Sequence, residues 1–222
     1  MGIERARVAE VHGPTSATGR AGSGYFVTDR LVLTAGTVTG RRGPTDVRPA
    51  GGGTWLAASV AWMAEAGDAA LLELDGGPAF PAPAPPLWGR ICGRHPMGVT
   101  AVGYPPADER PQWVRDPEWF LGQVSPPDGD DRSRLAVRAG PGSRAVGDGM
   151  SGAAMFAGAQ LVGVLVVDGG KGGPVRLGAV PVTAMAADDA FVHLVGDGED
   201  LPLAPVSTLV SGFAAPHVPP LR

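Results

Sequence analysis

Cys92 is the single cysteine among 222 residues, which excludes an intramolecular disulfide framework and any thiol-rich zinc site. Aromatic residues make up only 6% of the chain. Its tryptophans, Trp55, Trp62, Trp88, Trp113 and Trp119, follow no stacking period, so they read as core or loop anchors rather than platforms for nucleic-acid bases. Neither sign of charge dominates. With 18 Lys and Arg against 22 Asp and Glu, the net charge of −4 offers no general attraction to nucleic acid or to an anionic membrane. The pair Arg41-Arg42 is too short a basic run to alter that. No stretch approaches about 18 consecutive apolar residues, so no helical membrane span is expected. Residues 1–20 contain Arg5 and Arg7 but no continuous apolar run. They do not read as a secretory leader, and the expected compartment is the cytoplasm. No self-similarity at a period of about 20–50 residues points to a repeat architecture.

What the chain has in abundance is glycine and proline, 35 and 23 residues. Together they are about a quarter of the chain, a share that touches the disordered range. Disorder would also need low hydrophobicity and high net charge. A hydrophobic content of 44% and a net charge of −4 supply neither, so a folded, loop-rich protein is implied. Long helical periodicity is nearly absent. Short apolar runs bounded by Gly, Pro, Asp and Ser predict strands at 7–11, 24–28, 31–34, 56–63, 69–74, 99–102, 135–137, 153–156, 161–167 and 177–181, an all-β barrel or sandwich. Residues 76–86, rich in Pro and Ala, read as a linker between two groups of strands. The best helix candidate is 182–194, with Thr183 as its cap and Met185, Phe191 and Leu194 on its apolar face. Beyond Gly196 the chain turns acidic and then Pro-rich, and 196–222 is expected to be a poorly ordered tail or the start of a linker.

Three segments carry chemistry. The first is Gly22-Ser23-Gly24-Tyr25-Phe26-Val27, followed by Leu31-Val32-Leu33-Thr34-Ala35-Gly36-Thr37-Val38. The second is Asp68-Ala69-Ala70-Leu71-Leu72-Glu73-Leu74, and the third Gly147-Asp148-Gly149-Met150-Ser151-Gly152-Ala153. Taken singly, Ser151 is an ordinary turn serine, Asp68 a strand-edge aspartate, and Thr34 and Thr37 ordinary β-formers. In order and spacing, the three together resemble the active-site segments of the trypsin/chymotrypsin-like serine peptidases, in particular cytosolic bacterial members. Val102-Gly103-Tyr104-Pro105 and the approach Ala179-Val180-Pro181-Val182 to a terminal helix fit the same pattern.

The resemblance spans roughly 7–195. It implies two six-stranded antiparallel barrels with a cleft between them and a short C-terminal helix: barrel one at about 1–77, a linker at about 78–88, barrel two at about 89–181, and the helix at about 182–194. It implies that Ser151 is the nucleophile, that Asp68 is the orienting carboxylate, and that the backbone N–H groups of Gly149 and Ser151 form an oxyanion hole. Thr37 then stands where the family places its histidine. Threonine has no group titrating near neutral pH and cannot take the serine proton and return it. In a serine peptidase, loss of the base alone costs about 10⁶ in turnover, while binding and the oxyanion hole still leave about 10³–10⁴ over water. The expectation is therefore an impaired, pseudopeptidase-like domain that binds a peptide or protein. The alternative is an active serine endopeptidase using Ser151 with a base from elsewhere in the chain (His12, His95, His193 or His217) or from a partner.

Secreted members carry an aspartate before the nucleophile that pairs with a freed N-terminus. Here Met150 takes that place, so such activation has no partner. By position, Ala145 falls near the base of the primary specificity pocket, and 166–169, with Val167 and Gly169, on the strand that pairs with substrate. Related bacterial chains carry this module beside ATPase or effector domains, so a role in a multi-component signalling or defence system is expected. No cofactor and no metal are expected. The acidic stretch 128–131 lacks the full spacing of a calcium loop, and Gly169-Gly170-Lys171-Gly172-Gly173 lacks the order of a phosphate loop and reads as a hairpin turn.

Overall fold

Short apolar strands with little polar face have few ways to escape water, and closing a sheet on itself is one that also removes its edges. The computed structural model describes residues 3–14, 21–40, 43–65, 68–76, 84–93, 95–104, 116–125, 133–141, 147–168, 175–196 and 200–207. A 3-10 turn at Arg5–Arg7 leads into β1 (Val8–His12), β2 (Ala21–Phe26), β3 (Leu31–Thr34), the one-turn helix α1 (Gly36–Thr39), β4 (Thr45–Pro49), β5 (Leu56–Met63) and β6 (Ala70–Leu74). These strands close into an antiparallel barrel in the order β1-β2-β3-β6-β5-β4, sealed where β1 pairs with β4 from Ala9 opposite Pro49 to His12 opposite Asp46.

Next come β7 (Gly89–Ile91), β8 (Met97–Gly103), β9 (Glu118–Ser125), β10 (Leu135–Ala139), a 3-10 turn at Asp148–Met150, β11 (Ala154–Ala157), β12 (Gln160–Asp168) and β13 (Arg176–Pro181). Strands β8 to β13 form a second closed antiparallel barrel in the order β10-β13-β12-β11-β8-β9. The chain ends its described course in α2 (Val182–Met185), α3 (Asp189–Val195) and β14 (Ala204–Val206). The two six-stranded barrels expected from the resemblance are present. Among the described residues, no helix is long and apolar enough to cross a membrane.

Phe26, Leu33, Leu71 and Leu72 lie in the first barrel's core, and Ala101, Phe120, Val124, Met155 and Leu165 in the second's; all are fully or almost fully buried. Two barrel strands, β4 and β9, fall outside the runs that predicted the others. The helix expected over 182–194 is broken in two. Thr183 lies inside α2, which has no side-chain cap, and the working cap is Asp188 at the start of α3. Its Oδ1 accepts from the Ala190 N–H at 2.9 Å and its Oδ2 from Trp62 Nε1 at 2.8 Å. Asp188 leaves helical geometry to make both bonds, which ends the first helix and starts the second. Phe191, fully buried, packs on Trp62 at 4.9 Å and Trp88 at 5.9 Å between ring centroids, and so fastens α3 to barrel one and to the strand ahead of barrel two.

The segment 200–207, expected to belong to a poorly ordered tail, is part of the fold. β14 pairs in parallel with β7, and the Cys92 N–H donates to the Val206 carbonyl at 2.7 Å. The physical reason is apolar: Leu201, Leu203 and Val206 pack against the two cores. Residues 208–222 lie outside the described residues, as do 77–83 of the expected linker. Its end at Ala84 is anchored, because the buried Arg7 donates from Nη2 to the Ala84 carbonyl and from Nη1 to Phe26 O at 3.1 Å.

Candidate active site

The turn at 147–152 is set between the barrels by its glycines and carbonyls. Gly152 has φ +92°, and a methyl group built on it would lie 2.0 Å from the Ser23 carbonyl oxygen and 2.4 Å from Thr34 Oγ1. Only glycine meets both demands. The Met150 N–H closes the 3-10 turn on Gly147 O at 3.0 Å, and the Ala153 N–H donates to Met150 O at 3.0 Å. Beyond it, the Gly152 N–H donates to Leu165 O at 2.8 Å, which lays the turn along β12. Gly149 lies within the 3-10 turn, and Ser151 follows it at 4% exposure.

The Ser151 hydroxyl is engaged: its oxygen accepts from the Val167 N–H at 3.0 Å, so the side chain caps the edge of β12 beyond the reach of β11. Asp68 stands just ahead of β6 at 8% exposure. Its Oδ2 accepts from Arg134 Nε at 2.8 Å and also from Arg134 Nη2. Arg134 reaches on with Nη1 to Asp168 Oδ2 at 3.0 Å. The hydrogen bonding to Asp68 pushes the guanidinium above its ordinary pKa against the opposing effect of partial burial, with Asp168 adding to the rise. This bridge joins barrel one, through Asp68, to barrel two, through residues ahead of β10 and at the end of β12. Asp168 directly follows Val167, so the Ser151 bond and the Arg134 bridge meet the end of β12 at adjacent residues. Thr37 is the second residue of α1, half-buried, two residues after Ala35, whose N lies 2.9 Å from a methyl built on Gly152.

Of the expected peptide-contacting residues, Val167 lies in β12, while Ala145 and Gly169 fall outside the described residues. Among the described residues, no hydrogen bond to Ser151 or Asp68 comes from a histidine. His12 is bonded to Glu10 Oε1 at 3.1 Å and packs at a 39° tilt against Trp55, with 4.4 Å between ring centroids. His95 and His193 are exposed, and His217 is outside the described residues. Also among the described residues, no three His, Cys, Asp or Glu side chains are arranged to hold a metal. Two contributors escaped the sequence reading. Arg134 is one, an arginine just ahead of β10 with Arg132 two residues before it and no motif around either. The other is the Ser23 hydroxyl, whose only signal was its place between two glycines.

Two closed antiparallel barrels, with a serine turn and an aspartate at their junction, define the trypsin-like serine endopeptidase fold. Solved structures agree. The chain is similar to the serine endoprotease from Yersinia pestis (22% identity, TM-score 0.61), covering 88% of this chain and 65% of that one. It is similar to the MamO protease domain from Magnetospirillum magneticum (20% identity, TM-score 0.60), covering 82% of this chain and 95% of that one. It is also similar to the Rv3671c protease from M. tuberculosis in its active form (17% identity, TM-score 0.62), covering 85% of this chain and 81% of that one. The chain thus spans just under two thirds of the Yersinia structure. No protein-family model and no curated protein matches the sequence.

Proposed function

We propose that this domain is a catalytically impaired member of the trypsin-like fold that binds an extended peptide or protein segment in the cleft between its barrels. The observation that carries this reading is the Asp68–Arg134 pair. A carboxylate that orients a base must accept from that base's ring N–H. Here Asp68 Oδ2 accepts instead from two guanidinium nitrogens. An arginine cannot give up its proton near neutral pH, so it cannot relay one from serine to a leaving amine. Thr37, at the position matched to the family's histidine, offers no titrating group in its place. What remains suits binding: a strand end at Val167 and Asp168, a serine turn with fixed N–H directions, and charged groups at the rim.

Labelling with a fluorophosphonate probe tests this. The native chain is expected to remain unlabelled at Ser151, whereas Thr37→His combined with Arg134→Ala, which supplies a base and frees Asp68 to orient it, is expected to react. Labelling of the native chain at a rate comparable to the double variant would overturn the reading and mean that an unidentified base serves Ser151.

A further inference from the structure

Ser23 comes from barrel one, yet most of what its polar atoms hold belongs to barrel two. It is fully buried in β2, and every polar atom it owns is used. Its N–H donates to Ser151 O at 2.8 Å, and its own carbonyl accepts from Thr34 Oγ1 at 2.7 Å. Its hydroxyl donates to Gly149 O at 2.7 Å and accepts from the Tyr104 N–H at 2.8 Å. The space around it is closed. A methyl built on Gly103 would lie 2.5 Å from Ser23 Oγ, just as one on Gly152 would strike the Ser23 carbonyl.

Three consecutive carbonyls of the turn, those of Gly149, Met150 and Ser151, are therefore held, two of them by Ser23 and the middle one by the Ala153 N–H. In a trans peptide the N–H points opposite the preceding carbonyl, and the described chain has no cis bond. Fixing the Gly149 carbonyl fixes the Met150 N–H, and fixing the Ser151 carbonyl fixes the Gly152 N–H. The peptide plane that carries the Ser151 N–H is bracketed by two planes that Ser23 holds.

We propose that Ser23 is the positioning residue of this site: a barrel-one hydroxyl that sets the orientation of the 149–151 turn, and with it the approach of the Ser151 N–H and hydroxyl to a bound peptide carbonyl. The proposal rests on the reading of the cleft as a peptide site, and it adds that the capture geometry is imposed from the opposite barrel by one residue, whose hydroxyl holds the Gly149 carbonyl and whose backbone N–H holds that of Ser151. A residue that only filled space would contribute to folding and leave the chemistry of the folded fraction unchanged. A positioning residue changes reactivity at fixed binding.

The experiment uses the Thr37→His/Arg134→Ala chain with and without Ser23→Ala, modified by a peptidyl fluorophosphonate well below the unfolding temperature of both. Saturation kinetics separate reversible binding from the maximal rate of modification. Removing a group that orients stabilising donors is expected to lower the maximal rate about tenfold or more, while the half-saturating concentration stays within about twofold. A rate that falls only with the folded fraction, or a change confined to half-saturation, overturns the proposal. If the parent variant is not modified at all, the acid–base assignment of the peptide-site reading is what fails. Ser23 is then judged by NMR in the native chain. There Ser23→Ala must shift the Gly149 carbonyl carbon and the Ser151 amide and speed exchange of the Tyr104 amide; an unmoved Ser151 amide overturns the proposal.

Discussion

The two halves of the junction between the barrels are built on different principles. On the Ser151 side, geometry is over-determined: a glycine with no room for a side chain, three carbonyls each held by a donor, and a hydroxyl engaged by the neighbouring strand. On the Asp68 side, the arrangement depends on one pair of side chains at strand ends, with Arg134 substantially exposed. The Ser151 half is held by bonds between the two barrels, from Ser23 to the carbonyls of Gly149 and Ser151. The Asp68 half is carried by a side-chain ion pair between residues just ahead of β6 and β10.

The sharpest way to break that contrast is Gly152→Ala. A methyl group against the Ser23 carbonyl at positive φ is expected to cost about 3 kcal/mol or more, read as a lowered midpoint in urea. A native midpoint would mean that packing does not hold the turn. Thr34→Val comes next. It keeps the shape of the side chain but leaves the buried Ser23 carbonyl without its hydroxyl donor, an expected loss of about 1–2 kcal/mol. Arg134→Ala is expected to have the smallest effect on folding, about 1 kcal/mol or less, because the guanidinium is partly solvated. The difference from the native chain should shrink in high salt. Should Arg134→Ala destabilise more than Thr34→Val, the bridge would be a structural member, and the two halves would differ less than the geometry implies.

The strands that the sequence revealed are those with dense apolar runs, such as Leu31–Thr34 and Gln160–Asp168. β4 and β9 hid for separate reasons. In β4 the inward Thr45 and Val47 alternate with Asp46 and Arg48, and a proline closes the strand. In β9 the outward positions carry Trp119 and Leu121 while an inward one is Gly122, which blurs the period-two contrast. Asp188 does not stand out, because it lies inside the span read as one helix and its second bond, from Trp62, is set by tertiary packing. Ser151, Asp68 and Thr37 stand out because their three segments, marked by small residues beside apolar runs, follow one another in the order of the family's pattern. The Asp68–Arg134 pair does not, since its partners lie 66 residues apart and meet only through the mutual placement of two barrels.

The parallel pairing of β14 with β7 also decides where mechanical load enters the molecule. Tension applied to the chain beyond residue 207 would be met first by three residues of β14 sliding along Gly89–Ile91, in shear, with the Val206 carbonyl held by Cys92. The residues entering β7 are tied to β12, where the Leu161 N–H donates to the Leu87 carbonyl at 2.8 Å, so such a pull would be passed to the wall of barrel two as well as to the connection between the barrels.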